Sequence, residues 1–205
     1  MKSMKTMSTL MLMGLSLAVI LGGFPAATLG AEAKFVGVKG CKTCHKKEKQ
    51  GEQVKIWEKS DHSKAYATLG KPEAKKAAAK VGVNGDPQKA AECLVCHTTG
   101  FGASAASFDK KFKVTDGVQC ESCHGAGSLY KKKKVMKKIW KERGADRKGD
   151  SATAKKTGML IAGEETCKQC HVKEVSVGGK TYKNPSFKEF SYKERFDKMK
   201  HPVPK

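Results

Sequence analysis

The feature that most constrains this chain is a five-residue pattern, Cys-x-x-Cys-His, that occurs four times. The copies are CKTCH at 41–45, CLVCH at 93–97, CESCH at 120–124 and CKQCH at 167–171. Two cysteines three positions apart lie on one side of a helical turn, so their thiols can form thioethers with the two vinyl groups of one porphyrin. The histidine that follows is placed to bind the iron as its proximal ligand, as in c-type haem attachment.

Other uses of paired cysteines fit this pattern less well. Such pairs also build zinc sites, thiol redox centres and disulfide frameworks, but none of these needs a histidine directly after the second cysteine. With 6 histidines in 205 residues, a histidine follows one such pair by chance about 3% of the time, so four coincidences are on the order of one in a million. The pattern therefore predicts four covalently bound haem c groups. The predicted thioether residues are Cys41, Cys44, Cys93, Cys96, Cys120, Cys123, Cys167 and Cys170, and the predicted proximal iron ligands are His45, His97, His124 and His171.

The first thirty residues are typical of a cleaved secretory signal peptide. Lys2 and Lys5 give a basic start, an apolar run follows over 10–23, and small residues then offer a cleavage site near residue 30. An uncleaved membrane anchor is the alternative, but the apolar run is shorter than the ~20 residues of a spanning helix. We therefore expect a signal peptide at 1–30 and one tetrahaem domain at 31–205. Export also agrees with haem c, which bacteria attach outside the cytoplasm, and predicts a periplasmic protein.

The exported part is poor in large apolar side chains and rich in lysine. Its length of about 175 residues is that of one domain, yet such a composition buries little apolar surface by itself. Four porphyrins would supply the missing apolar volume. We expect a mainly α fold with little β, in a single compact multihaem domain whose core is formed by the four covalently bound haems. Without haem, the chain should be close to unfolded.

Hydrophobic periodicity and breaker residues predict several short elements. Helices are expected at 46–69, 72–80, 131–141, 164–171 and 186–200, and a small hairpin at 174–182 around Gly178-Gly179. Asp86-Pro87 predicts the start of the helix that carries the second motif.

The chain has too few histidines to give every iron a histidine as its sixth ligand. Beyond the four motif histidines, only His62 and His201 remain, and both are candidate distal ligands. At least two irons then lack a histidine partner within the chain. Met136 is the best placed of the remaining methionines, and lysine, an open five-coordinate iron or a ligand from a neighbouring molecule are the other options. We expect one open iron.

Charge favours acidic protein partners. The formal net charge is +21, and it stays strongly positive after loss of the signal lysines and compensation by about eight haem propionates. Lysines crowd the predicted helix at 131–141. We expect acidic redox partner proteins that donate or accept electrons, and no nucleic acid, since no nucleic-acid-binding motif occurs.

Longer stretches around the motifs resemble the tetrahaem cytochrome c-554 family of bacterial periplasmic electron carriers. They are FVGVKGCKTCH at 35–45, ECLVCHTTGFG at 92–102, GVQCESCHGAG at 117–127 and EETCKQCH at 164–171, together with Trp57 five residues before His62. The resemblance implies a mainly helical fold with closely stacked haem pairs, His62 as a distal ligand and a five-coordinate iron at His97. In that family another distal histidine follows the third motif. The stretch 128–140 contains none here, so the first haem would take Met136, a lysine or no sixth ligand.

Three functions remain open at this point. The leading hypothesis is electron transfer between redox partners in the periplasm, by a protein that is not itself an enzyme. The second is binding or reduction of a small nitrogen oxide at an open haem, although no Cys-x-x-Cys-Lys motif or evident set of proton-delivering residues supports it. The third is a polymerising subunit that conducts electrons.

Overall fold

Short helices account for most of the regular structure of residues 32–202, the part of the chain that the computed structural model describes. The helices are α1 (Val38–His45), α2 (Gln53–Lys59), α3 (Ala65–Leu69), α4 (Pro72–Lys80), α5 (Ala91–His97), α6 (Cys120–His124), α7 (Lys133–Glu142), α8 (Ala152–Thr157), α9 (Glu164–Lys168) and α10 (Tyr192–Met199). Single 3-10 turns lie at Glu48–Gln50, His62–Lys64, Ala105–Ser107 and Val114–Asp116. The predicted mainly α fold is confirmed. The predicted signal peptide at 1–30 lies outside the described residues and stays a prediction.

The described residues contain one β-sheet, a two-stranded antiparallel hairpin. Strand β1 (Glu174–Val177) pairs with β2 (Lys180–Lys183), with Val175 opposite Tyr182. The turn residues Gly178 and Gly179 both have positive φ, at 58° and 76°, as a tight two-residue hairpin turn requires. The predicted hairpin is therefore confirmed.

The long helix predicted at 46–69 is wrong. Gly51 and Glu52 have φ of 88° and 52°, and two successive left-handed residues cannot continue a right-handed helix. A second break follows α2, where Ser60 is extended with ψ of 161°. His62 consequently lies in a 3-10 turn between two short helices.

The helix of the second motif also begins later than predicted, at Ala91. The Asp86 carboxylate accepts a hydrogen bond from the backbone N–H of Gln88 at 3.0 Å, and the Asp86 carbonyl accepts from Lys89 at 2.9 Å. Asp86 therefore closes a turn rather than starting the helix, which is a common use of aspartate before proline.

The apolar core of the protein part is small. Ile139 is fully buried and packs with Tyr130 and Ala154, and partly buried side chains of α7 and of Met159 surround them. The other buried apolar residues are mostly small or β-branched and are scattered over the fold. The described part of the chain nevertheless forms one compact unit. This arrangement agrees with a domain whose largest apolar bodies are haems.

Candidate functional site

All four motifs lie at the C-terminal end of a short helix. Helices α1, α5 and α6 end at the motif histidines His45, His97 and His124. In the fourth motif α9 ends earlier, but the backbone N–H of His171 still donates to the Cys167 carbonyl at 3.0 Å. Each pair of cysteines and its histidine therefore share one helical turn, the local geometry that haem attachment needs.

The motifs are brought together in the order first, third, fourth, second. Helix α1 packs against α6, and the neighbouring Cys120, together with burial, raises the pKa of the Cys41 thiol. Cys96 and Cys170 are likewise neighbours, from the second and fourth motifs, and each shifts the pKa of the other. Cys123 connects the two pairs, since burial first and then the nearby Cys167 raise its pKa to about 11. Four attachment points thus follow one another without a gap.

Both histidines outside the motifs lie beside a motif histidine. The ring centres of His62 and His171 are 6.1 Å apart, and those of His124 and His201 are 6.0 Å apart. A metal ion binds an imidazole nitrogen at about 2.0–2.1 Å, so two imidazoles on opposite sides of one iron have ring centres about 6 Å apart. The two pairs therefore fit haem irons with two axial histidines, at the fourth and third motifs.

Backbone carbonyls orient two of the motif imidazoles. Nδ1 of His97 lies 2.8 Å from the carbonyl oxygen of Ala65, and Nδ1 of His124 lies 3.1 Å from that of Leu160. A donated Nδ1–H leaves Nε2 with its lone pair free for a metal. His171 is held differently, because the ring of Phe190 stacks on it at 4.9 Å.

The environment of both histidine pairs favours neutral imidazole, the form that binds metals. Burial is the main cause that lowers the pKa of His62, His124, His171 and His201. The partner ring contributes as well, since a charge on His171 lowers the pKa of His62, and a charge on His124 lowers that of His201.

Apolar surface suited to a flat cofactor lies next to the motifs. Leu160 and Ile161 are 52% and 51% exposed, although Leu160 donates its backbone N–H to the carbonyl of His124. Beside α5, an open cleft of about 410 Å³ is lined by Leu94, Phe101, Phe108, Phe112 and Val114, among others. Within residues 32–202, no group of three or more His, Cys, Asp or Glu side chains is arranged to hold a metal ion as a zinc site would be. The apolar side chains beside the four motifs therefore fit a haem group.

The remaining predicted ligands have other surroundings. With His62 and His201 placed beside His171 and His124, no further histidine of the described residues is left to pair with His45 or His97. Met136 packs against the α7–α8 cluster of Tyr130, Ile139 and Ala154, which accounts for its burial. Its role as a ligand stays a prediction.

One buried carboxylate near the site was not foreseen. Glu121, 2% exposed, lies between the two cysteines of the third motif and accepts hydrogen bonds from the backbone N–H groups of Val36, Gly37 and Gly127 at 2.6–3.1 Å. Burial is the main cause that raises the pKa of Glu121, and these donors oppose it. The sequence carries no signal for this role, because haem attachment does not constrain the residues between the cysteines.

Comparison with known proteins agrees with this geometry. The family described as Cytochrome c554 and c-prime matches residues 40–125, which hold the first three motifs. Cytochrome c-554 of Nitrosomonas europaea is 32% identical over 160 residues, and the alignment covers 71% of this chain and 60% of the relative. No solved structure matched. Covalently bound haem c is the cofactor that this relationship implies, and the chain belongs to the cytochrome c-554 family.

Proposed function

We propose that this chain is an exported tetrahaem electron carrier that passes electrons between redox partners in the periplasm and is not itself an enzyme. The observation that carries the proposal is that the four motifs lie close together: α1 packs against α6, α5 packs against the strand β1 that follows the fourth motif, and Cys123 of the third motif neighbours Cys167 of the fourth. Haem irons would supply the one-electron chemistry. The polypeptide contributes the fixed order and close spacing of the sites. Within residues 32–202, no helix is long and apolar enough to span a membrane.

The candidate axial ligands indicate that the four haem irons are not equivalent. In the proposed ligand set, the third and fourth sites would have histidine on both sides of the iron, whereas the first and second would have only their motif histidine. Ligand identity is a main determinant of haem potential, so the four sites should differ in potential. Quantification of haem per chain by mass spectrometry tests the count directly. Four haems are expected, and fewer would contradict the proposal.

The exposed side of α7 is the surface we propose for docking. All seven lysines at 131–134, 137, 138 and 141 are exposed, and among the described residues only Lys138 of this set forms an ion pair, 3.9 Å from Glu142. Such a dense positive surface accelerates encounter with a negatively charged partner and makes the rate depend on salt.

The docking proposal is tested with a charge reversal and a matched control. Lys134→Glu/Lys137→Glu changes α7, whereas Lys75→Glu/Lys76→Glu changes net charge equally on α4, where both lysines are also exposed. With a small acidic flavodoxin as probe, we expect the α7 variant to slow electron exchange several-fold more than the α4 variant at low salt. The difference should vanish near 1 M salt, where the screening length is about 3 Å. Equal slowing by both variants would reject docking on α7.

Binding of a small ligand at the second haem is the other candidate function. His97 is left without a histidine partner, and the open cleft beside α5 is lined by Leu94 of this motif and by Thr98, the residue after it. A diatomic ligand or small nitrogen oxide would suit such a site. Titration of the reduced protein with carbon monoxide tests it: no binding at saturation would exclude an accessible iron.

A further inference from the structure

The loop that leads into the third motif contacts the backbone of His62. The backbone N–H of Val118 donates to the carbonyl oxygen of His62 at 3.0 Å. The carbonyl of Val118 in turn accepts a hydrogen bond from Nε1 of Trp57 at 2.7 Å. His62 is therefore part of a chain of hydrogen bonds that connects α2 with the loop before α6.

Gly117 allows this contact because it has no side chain. Its φ is 73°, in the left-handed region that glycine tolerates best. A Cβ atom at this position would lie 2.7 Å from the carbonyl oxygen of His62 and 3.3 Å from the backbone nitrogen of Ala65. Both are backbone atoms, which cannot move aside as the end of a flexible side chain can. Any larger residue at 117 must shift the 3-10 turn that carries His62.

We propose that Gly117 is a positioning residue that holds the imidazole of His62 against His171. The inference rests on the proposed role of His62 as a distal iron ligand. The ring centres of the two histidines lie 6.1 Å apart, so a small displacement of the turn takes the distal nitrogen out of bonding range. The contact also makes the sixth ligand of the fourth haem depend on the loop that precedes the third motif.

Gly82 provides a matched control. Its φ is 76°, almost that of Gly117, but a Cβ atom there would meet nothing within 4 Å. Gly117→Ala and Gly82→Ala therefore share the backbone strain of a left-handed alanine. Only Gly117→Ala adds the collision with His62.

The experiment counts carbon monoxide bound per chain in the reduced holoproteins, with haem content and thermal unfolding measured alongside. We expect His62→Ala to bind one more equivalent than wild type, Gly117→Ala to bind up to one more, and Gly82→Ala to bind no more. If His62→Ala gains none, the ligand assignment fails. If His62→Ala gains one and Gly117→Ala behaves like Gly82→Ala, the positioning role alone is overturned.

A milder variant keeps the test decisive if Gly117→Ala does not yield folded holoprotein. Trp57→Phe removes the hydrogen bond to Val118 but leaves Gly117 in place. A looser turn should give a fractional gain in bound carbon monoxide, between wild type and His62→Ala. An unchanged value for Trp57→Phe would overturn the proposal in that case.

Discussion

Glu121 shows how a single side chain joins distant parts of the fold. Its carboxylate accepts hydrogen bonds from backbone N–H groups of the segment before α1 and of the loop after α6. These hydrogen bonds connect the first motif with the third. A nearby glutamine does similar work, since Oε1 of Gln119 accepts from the backbone N–H of Val38 at 2.7 Å. Buried backbone N–H groups need such partners, because each one left unpaired is costly.

We expect Glu121→Gln to lower the free energy of unfolding of the holoprotein by about 1–3 kcal/mol, the cost of leaving a buried donor without an acceptor. The amide keeps one oxygen, but its NH₂ group would face a backbone N–H. Glu58→Gln is the control, because Glu58 forms an exposed ion pair with Lys42 at 2.9 Å and should contribute less than about 1 kcal/mol. Denaturant unfolding measures both variants. Equal effects would contradict the role of Glu121.

The Glu142 carboxylate connects the end of α7 to the start of α8 through hydrogen bonds. Glu142 accepts hydrogen bonds from the hydroxyl groups of Ser151 and Thr153 at 2.5 and 2.6 Å, and from the Thr153 backbone N–H at 2.9 Å. Ser151 also caps α8 by accepting from the backbone N–H of Ala154 at 2.9 Å. The three donors lower the pKa of Glu142 to about 2.

This shift predicts a pH-dependent effect of Glu142→Gln. Because the folded pKa lies below the ordinary value of 4.5, the carboxylate stabilises the fold above about pH 4.5 and loses this effect as pH falls towards 2. The variant should melt at a lower temperature than wild type at pH 7, and the difference should shrink at pH 3. Glu165→Gln, on the exposed surface of α9, should change the melting temperature little at pH 7. A difference that is as large at pH 3 as at pH 7 would argue against the carboxylate.

The whole molecule depends on its cofactors for a core. The protein part gathers its main apolar cluster around Ile139, and large side chains such as Leu160 and Ile161 stay exposed beside a motif. A chain of this size normally buries much more apolar surface. Haem attached to the motifs would cover these side chains.

Chain produced without haem attachment should therefore show no cooperative thermal unfolding and reduced helix content by far-UV circular dichroism. Holoprotein measured in the same buffer is the control. A cooperative transition of the haem-free chain near that of the holoprotein would show that the polypeptide has a sufficient core of its own.

Local patterns predicted several elements well and failed where a few residues broke the period. Helix α4 begins at Pro72 as predicted, because proline favours the first turn and alanine and lysine favour the interior. The predicted helix at 46–69 is broken at Gly51 and Glu52, whose left-handed conformations depend on the surrounding fold. Glycine is compatible with many conformations, so its presence alone does not locate a break.

The sequence alone determined the covalent chemistry, because two cysteines and a histidine within five residues carry their own geometry. Only the tertiary structure decided which motifs are neighbours and which motif histidine each of the other two histidines lies beside. His62 follows the first motif in the chain yet lies beside His171 of the fourth, and His201 lies beside His124 of the third. Such contacts join residues far apart in the chain, and they are set by turns and packing that no local spacing encodes.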